Sequence, residues 1–598
     1  MKQFFKFMFA SMLGTFITIM LASFLSMVIF FMMLSGVISS ASKDNVKVTQ
    51  VEKESILHIK LNTAIQDRAS DNPFENFNFS SFEPSNNLGL DEILKSIKKA
   101  KTDDRIEGIY LDLSSINAGM ATIEEIRDAL NDFKKSNKWI ISYSEIYTQG
   151  SYYLASVSDK IYVNPAGIVE LRGLASQLMF FKNMLEKLDI DVQIIRHGKF
   201  KSAVEPFMLE KMSDSNREQM EKILNSAWGS MINSVSGSRD IKIAEINDLA
   251  DELTIQDAKD AKKYNFVDGL MYKDELLDEL RVRLDLEKNE EIKYVSLAKY
   301  ANAKLKETKE IIKSDNKIAV IYASGSIVSG KSSKDEMGSE TISKAIREAR
   351  LDDNVKAIVL RVNSPGGSAL ASDIMWREVV LAKEAKPVIV SMGDVAASGG
   401  YYIACAADKI VASEKTITGS IGVFGIIPNM KGFFNNKMGI TFDGTKTNDH
   451  ADIMTVFRPL TGDEKDIIQI GVEKIYDDFI SKVADGRGIT KEQVDSIGQG
   501  RVWLGVDALE IGLVDEIGGL NKAINIAQKM AKVVTYEIEN YPKSKDPIEE
   551  LIEELSGNIE TRMLKNKLGD NYKYYQKMES ITKQSGVIAR MPFDIDIH

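Results

Sequence analysis

The stretch DDNVKAIVLRVNSPGGSA (352–369) decides the fold. AIVLRVN (357–363) is apolar enough for a strand covered on both faces, NSPGG makes a tight turn, and ALASDIMWREVVLAKEA then reads as a helix. On its N-terminal side KIAVIYASG (317–325) reads as a strand and TISKAIREARLD as a helix; on its C-terminal side PVIVSM (387–392) is the next strand. Strands separated by helices imply parallel, right-handed βαβ crossovers. The fold class expected is α/β.

The same unit occurs twice. DDRIEGIYLDLSSINAGM (103–120) aligns with 352–369, and WIISYSEIYTQGSYYLASVSDKIYVNP (139–165) aligns with VIVSMGDVAASGGYYIACAADKIVASE (388–414). Asp104 falls on Asp353, Tyr153 on Tyr402 and Asp159 on Asp408, each 249 residues on. An ungapped register of this length marks a tandem duplication. The expected division is an anchor at 1–42, a first repeat at 50–285, a charge-rich and mostly helical linker at 286–316, a second repeat at 317–540, and an amphipathic helical tail at 541–598.

The 598 residues are 44% hydrophobic and 27% charged, a globular composition. A net charge of -11 lacks the basic footprint of a phosphate-backbone binder, so nucleic acid is not an expected partner. One cysteine, Cys405, excludes an intrachain disulfide and a multi-thiolate zinc site, and four histidines disfavour a histidine-based metal centre. No metal and no organic cofactor is implied.

After Lys2 and Lys6 no charge appears until Lys43. The apolar run 7–38 exceeds both the ~7–15 residues of a secretory signal core and the ~20 needed to span a bilayer. It reads as an uncleaved transmembrane anchor in the lipid bilayer, although Ser39-Ser40-Ala41 resembles a cleavage site. The two leading lysines favour a cytoplasmic N-terminus and an extracytoplasmic remainder, a bias that Lys43 and Lys47 weaken.

Three short stretches could carry chemistry. Gly366 and Gly367 follow a strand and precede a helix, where their N–H groups could hold an oxyanion or merely form a turn. Ser398, in DVAASGGYY (394–402), sits between small residues at a helix start, as a nucleophile or as an N-cap. Ser420, in GSIG, is a turn residue or a helper hydroxyl. A serine nucleophile needs a base. His58, His197 and His450 lack a distinguishing context, whereas Lys201 stands among small and apolar neighbours in GKFKSAVEPF (198–207). A lysine serves as base near pH 7 only if burial lowers its pKa by roughly three units, about 4 kcal/mol.

NSPGGS (363–368), AASGGYY (396–402), TGSIGV (418–423), GKFKSAVEPF (198–207) and GRVWLGVDALEIGLVDEIG (500–518) together resemble the membrane-bound signal peptide peptidases of the long, duplicated type, within the ClpP/crotonase-like fold. The resemblance implies a serine endopeptidase with Ser398 as nucleophile and Lys201 as general base. It further implies an oxyanion hole formed by Gly399 with Gly366 or Gly367, support from Ser420, cleaved signal peptides and other apolar peptides as substrates, a homotetramer, and an inner-membrane location with the catalytic part on the periplasmic side. Lys199 is the rival base, since the residues alone do not separate the two lysines.

The repeat bears on these assignments independently. Copy one has Gln149 at the place of Ser398, and Asn117 and Ala118 at the places of the glycine pair; copy two has Ala451 where a lysine would stand. Each copy keeps one half of a dyad, so a site shared between copies is expected. Two other readings compete: a crotonase-like acyl-CoA hydratase or isomerase, and a non-catalytic membrane scaffold.

Overall fold

The structure is a computed structural model describing residues 2–41, 51–69, 77–78, 83–84, 89–303, 314–333, 335–543 and 587–591. Its elements keep the period of the repeat. Helix Leu90–Thr102, strand Ile106–Asp112, helix Met120–Lys134 and strands Trp139–Tyr147 and Lys160–Val169 start at the positions that helix Ser339–Leu351, strand Val355–Ser364, helix Ala369–Ala385 and strands Val388–Ala397 and Lys409–Ala412 occupy 249 residues later. The local causes are visible in both kinds of element. Ile358, Val359, Leu360 and Val362 are all buried, as a strand covered on both faces requires, and Ser339–Leu351 buries Ile342, Ala345, Ile346 and Ala349 along one helical stripe.

Each repeat builds its own sheet. The first runs Gly269–Leu270, Lys160–Val169, Trp139–Tyr147, Ile106–Asp112, Ser55–Ile59, Tyr294–Ser296, parallel throughout. The second runs Val502–Leu504, Ile417–Gly419, Val388–Ala397, Val355–Ser364, Lys317–Ser324, Glu537–Tyr541, with one antiparallel pair at Val502–Leu504. A third sheet joins the copies. Its order is Glu336–Gly338, Ser326–Val328, Gly366–Ser368, Val587–Arg590, Phe424–Asn429, Asp191–Arg196, and the last of these belongs to the first repeat.

Buried polar groups also fasten the copies together. The Thr122 N–H and hydroxyl donate to the two Asp394 carboxylate oxygens (2.9 and 2.6 Å). The fully buried Arg361 guanidinium lies 2.7 Å from both Asp67 and Glu125 of the first repeat. Burial works against that charge, but the two carboxylates outweigh it and raise the Arg361 pKa. Lys415 reaches Glu124 at 2.7 Å.

The helix Lys2–Ala41 is solvent-facing where its side chains are described, and Gln3–Val28 is long and apolar enough to cross a membrane. Within 286–316, Tyr294–Ser296 joins the first sheet as an edge strand, Leu297–Ala301 is a short helix, and residues 304–313 lie outside the described residues. Of the tail expected to be helical, residues 541–543 and 587–591 are described, and Val587–Arg590 is a strand rather than a helix. The reason is tertiary: Val-Ile-Ala is a short apolar run that fits between two strand edges, while 544–586 and 592–598 lie outside the described residues.

Candidate active site

Lys201 reaches copy two because the strand before it, Asp191–Arg196, pairs antiparallel with Phe424–Asn429. The turn carrying it is held from both sides. Gln219 donates to the Ser202 hydroxyl (2.7 Å) and the Phe200 carbonyl (3.4 Å), and accepts from the Val502 N–H (3.3 Å). Gly500 packs its backbone on the lysine: at φ +83°, a Cβ there would lie 2.6 Å from the Lys201 Cα, so both conformation and space require glycine.

The Lys201 side chain is fully buried. Its amine lies 3.0 Å from the Ser398 Oγ, 3.0 Å from the Ser420 Oγ and 3.2 Å from the Ser420 carbonyl, with the Phe424 ring centroid at 5.8 Å. No ion pair to this amine occurs among the described residues. Burial alone therefore pushes its pKa well below the ordinary lysine value. Burial favours the neutral form of the amine, and a neutral amine can accept a proton from an adjacent hydroxyl.

Ser398 joins strand Val388–Ala397 to helix Gly399–Ala404 with φ +54° and ψ -112°. A non-glycine residue there stores roughly 1–3 kcal/mol of strain, held by its N–H donating to the Gly419 carbonyl (2.8 Å). The side chain makes no cap bond; besides meeting Lys201, its hydroxyl donates to the Gly422 carbonyl (3.3 Å). At the matching place in copy one, Thr148 caps an ordinary helix start and Gln149 bonds the backbone at Arg172 and Gly173.

The glycine pair lies beside this serine. A Cβ on Gly366 would sit 2.7 Å from the Gly399 nitrogen, and φ is +94° at Gly366. The Gly366 N–H donates to the Ser364 Oγ (3.2 Å), whereas Gly367 faces Ile327 on one side and Ala589 on the other. Lys199 is exposed, with its amine over the Phe200 ring. The three described histidines lie elsewhere: His58 on Asp112, His197 stacked on Tyr476 and bonded to Glu473, His450 near Glu464. Sequence reasoning missed Gln219, which carries no motif, and did not single out Ser364 within NSPGGS or Gly500 within GRVWLG.

A buried amine beside a serine hydroxyl is an arrangement that can hydrolyse, and comparison with known proteins places the chain among proteases. A family model described as Clp protease matches residues 308–416, and one described as peptidase family S49 matches 132–287 and 381–534. The chain is 39% identical over 450 residues to Protease 4 of Haemophilus influenzae (73% of this chain, 72% of that protein) and 37% identical over 479 residues to Protease 4 of Salmonella typhi (79% and 76%). It is 34% identical over 489 residues to the chloroplastic serine protease SPPA of Arabidopsis thaliana (81% and 70%). The chain belongs to peptidase family S49. It is a serine protease of the duplicated, long type.

Proposed function

We propose that the protein is a membrane-anchored endopeptidase that degrades cleaved signal peptides and other apolar peptides through a Ser398/Lys201 dyad shared by its two repeats. The observation that supports this reading is the 3.0 Å contact between a lysine and a serine that are both fully buried, with no carboxylate paired to the amine among the described residues. Neutral Lys201 takes the Ser398 proton as Oγ attacks the peptide carbonyl, and then returns it to the leaving amine; water completes deacylation. The Gly399 and Gly367 N–H groups hold the oxyanion, since that of Gly366 is engaged by Ser364. Ser420 orients the amine through its hydroxyl and carbonyl.

The apolar helix Gln3–Val28 supports anchoring in an inner membrane with the two repeats on the periplasmic side. The expected tetramer draws support from an exposed apolar patch in which Phe442 and Phe457 stack at 4.0 Å beside Phe434, with Met438 and Ile440 also exposed. The division into anchor, lysine-bearing repeat, linker and serine-bearing repeat is part of the same proposal. The test is labelling by a serine-reactive fluorophosphonate together with cleavage of an apolar reporter peptide. Label confined to Ser398, and loss of both label and cleavage in Lys201→Ala with the fold retained, is the expected result; normal turnover by Lys201→Ala or Ser398→Ala would sink the dyad.

A further inference from the structure

Three non-glycine residues with left-handed backbone surround Lys201. Ser398 (φ +54°) and Ser420 (φ +50°) present their hydroxyls to its amine, and Gln499 (φ +53°) backs the turn that carries it. Such conformations persist only where neighbouring contacts hold them. The dyad accounts for the two serines and gives no part to Gln499. That residue is the first central position of a turn, Gly498–Arg501, closed by the Arg501 N–H on the Gly498 carbonyl (2.9 Å), and Gly500 follows at φ +83°. Two left-handed central residues make a mirror-image turn that suits glycine and asparagine, so glutamine is strained there. The turn is bonded to both halves of the site. The Gln499 carbonyl accepts from the Phe200 N–H, one residue before the lysine (3.1 Å). The Gly500 N–H donates to the Ile421 carbonyl (2.7 Å), and the Arg501 carbonyl accepts from the Ser420 N–H (2.7 Å).

One phenol holds the strained residue in place. The Gln499 N–H donates to the Tyr476 hydroxyl oxygen (3.1 Å), and that hydroxyl donates to the Asp495 Oδ1 (2.6 Å). The Gln499 Nε2 donates to the other Asp495 oxygen (3.2 Å). Tyr476 is buried on helix Gly462–Arg487, and burial together with the Asp495 carboxylate pushes its pKa up, so it keeps its proton. No other acceptor for the Gln499 N–H occurs among the described residues. The Tyr476 ring stacks on His197, four residues before the lysine, with centroids 3.8 Å apart. His197 in turn bonds Glu473 at 2.6 Å. Tyr476 therefore grips the first repeat with its ring and the turn with its hydroxyl. The charged and titrating groups facing this support are His197 and Glu473 beside the ring and Asp495 at the hydroxyl, while Lys199 and Asp477 line the same cavity.

We propose that Tyr476 is a positioning residue for the reaction, fixing Lys201 and Ser420 against the nucleophile through the turn Gly498–Arg501. The inference rests on the dyad reading above. The phenol takes no part in proton transfer; it sets where the amine stands and keeps water from it. In Tyr476→Phe the ring and its stack remain, but the Gln499 N–H loses its acceptor and the turn is free to relax. Two effects on the base follow. A displaced amine takes the serine proton less often while substrate binding is unchanged. Water that reaches the amine solvates its charged form and raises its pKa toward the ordinary lysine value.

The experiment measures kcat and KM against pH for the purified full chain in detergent, on a quenched-fluorescent peptide of leucine and alanine, with denaturant unfolding alongside. Tyr476→Phe should lower kcat about tenfold with KM within about twofold. It should also move the acid limb of the kcat profile to higher pH by at least about 0.5. Tyr152→Phe removes another buried phenol, bonded to the Phe266 carbonyl at 2.8 Å in the first repeat, and should move neither. A matching shift in Tyr152→Phe would overturn the proposal, because lost stability alone would then explain both. The limb should persist in His197→Phe, which keeps a ring for the stack; a limb lost with the imidazole belongs to His197 and overturns the proposal. Wild-type kcat in Tyr476→Phe, or a lower kcat with an unmoved limb, while Lys201→Ala is inactive, overturns the positioning role alone. Normal cleavage by Lys201→Ala removes the dyad reading, and the positioning role with it.

Discussion

A buried neutral lysine costs stability, and replacing it tests the electrostatics of the site directly. In Lys201→Met, made in a Ser398→Ala background so that neither chain turns over, a fully buried amine gives way to an apolar side chain of similar length. The unfolded chain holds this amine protonated up to about pH 10.4, and the folded chain holds it neutral well below that. Between those two values the unfolded state binds the extra proton, so stability rises with pH in the parent chain. At about 1.4 kcal/mol per unit, the lowering of roughly three units that the proposed role as base near pH 7 requires would cost about 4 kcal/mol. Methionine removes that cost and loses the bonds to the Ser420 hydroxyl and carbonyl, about 0.5–1.5 kcal/mol each. On the proposed role, the net expectation is that Lys201→Met is more stable than its parent by about 1–3 kcal/mol at pH 7. The advantage should shrink with each unit toward pH 10. Denaturant unfolding in detergent at pH 7, 8, 9 and 10 measures it. A variant less stable than its parent at pH 7, or an advantage that does not change with pH, would refute the reasoning.

Further expectations follow from the same contacts. Peptide cleavage should fall as pH is lowered through the Lys201 pKa, which lies well below the ordinary lysine value, because protonating Lys201 removes the proposed base; a rate that does not fall at acid pH with the fold retained would contradict this. Lys199→Ala should leave the cleavage rate within about twofold, its side chain being exposed, and a loss comparable to that of Lys201→Ala would reassign the base. Arg361→Met leaves Asp67 and Glu125 buried without their partner and should lower stability by about 3–5 kcal/mol, read by denaturant unfolding. Gly366→Ala forces a side chain into φ +94° and against the strand at Ala589, so cleavage should fall at least tenfold with near-native secondary structure by circular dichroism.

The α/β repeats were legible because strands such as AIVLRVN and the 249-residue register are local and repeated signals. What joins the repeats was not. Arg361, Asp67, Glu125, Thr122 and Asp394 read in sequence as ordinary polar residues, and their burial arises only from tertiary contact. The pairing of Asp191–Arg196 with Phe424–Asn429 likewise leaves no local mark, since it depends on strands far apart in the chain. The motifs single out Ser398 and Lys201 as candidates; the resemblance favours Lys201 over Lys199, and the fold turns the Lys201 side chain inward while Lys199 is exposed. VIARM was absorbed into a helical tail because so short an apolar run carries no period to separate strand from helix.

The two halves of the site lie 197 residues apart along the chain. At a synthesis rate of about 5–20 residues per second, the serine leaves the ribosome roughly 10–40 s after the lysine. Throughout that interval the nascent polypeptide carries the lysine of the proposed dyad without its serine. On the proposed dyad, a peptidase divided in this way between two repeats holds both halves of its site only once the second repeat has been made.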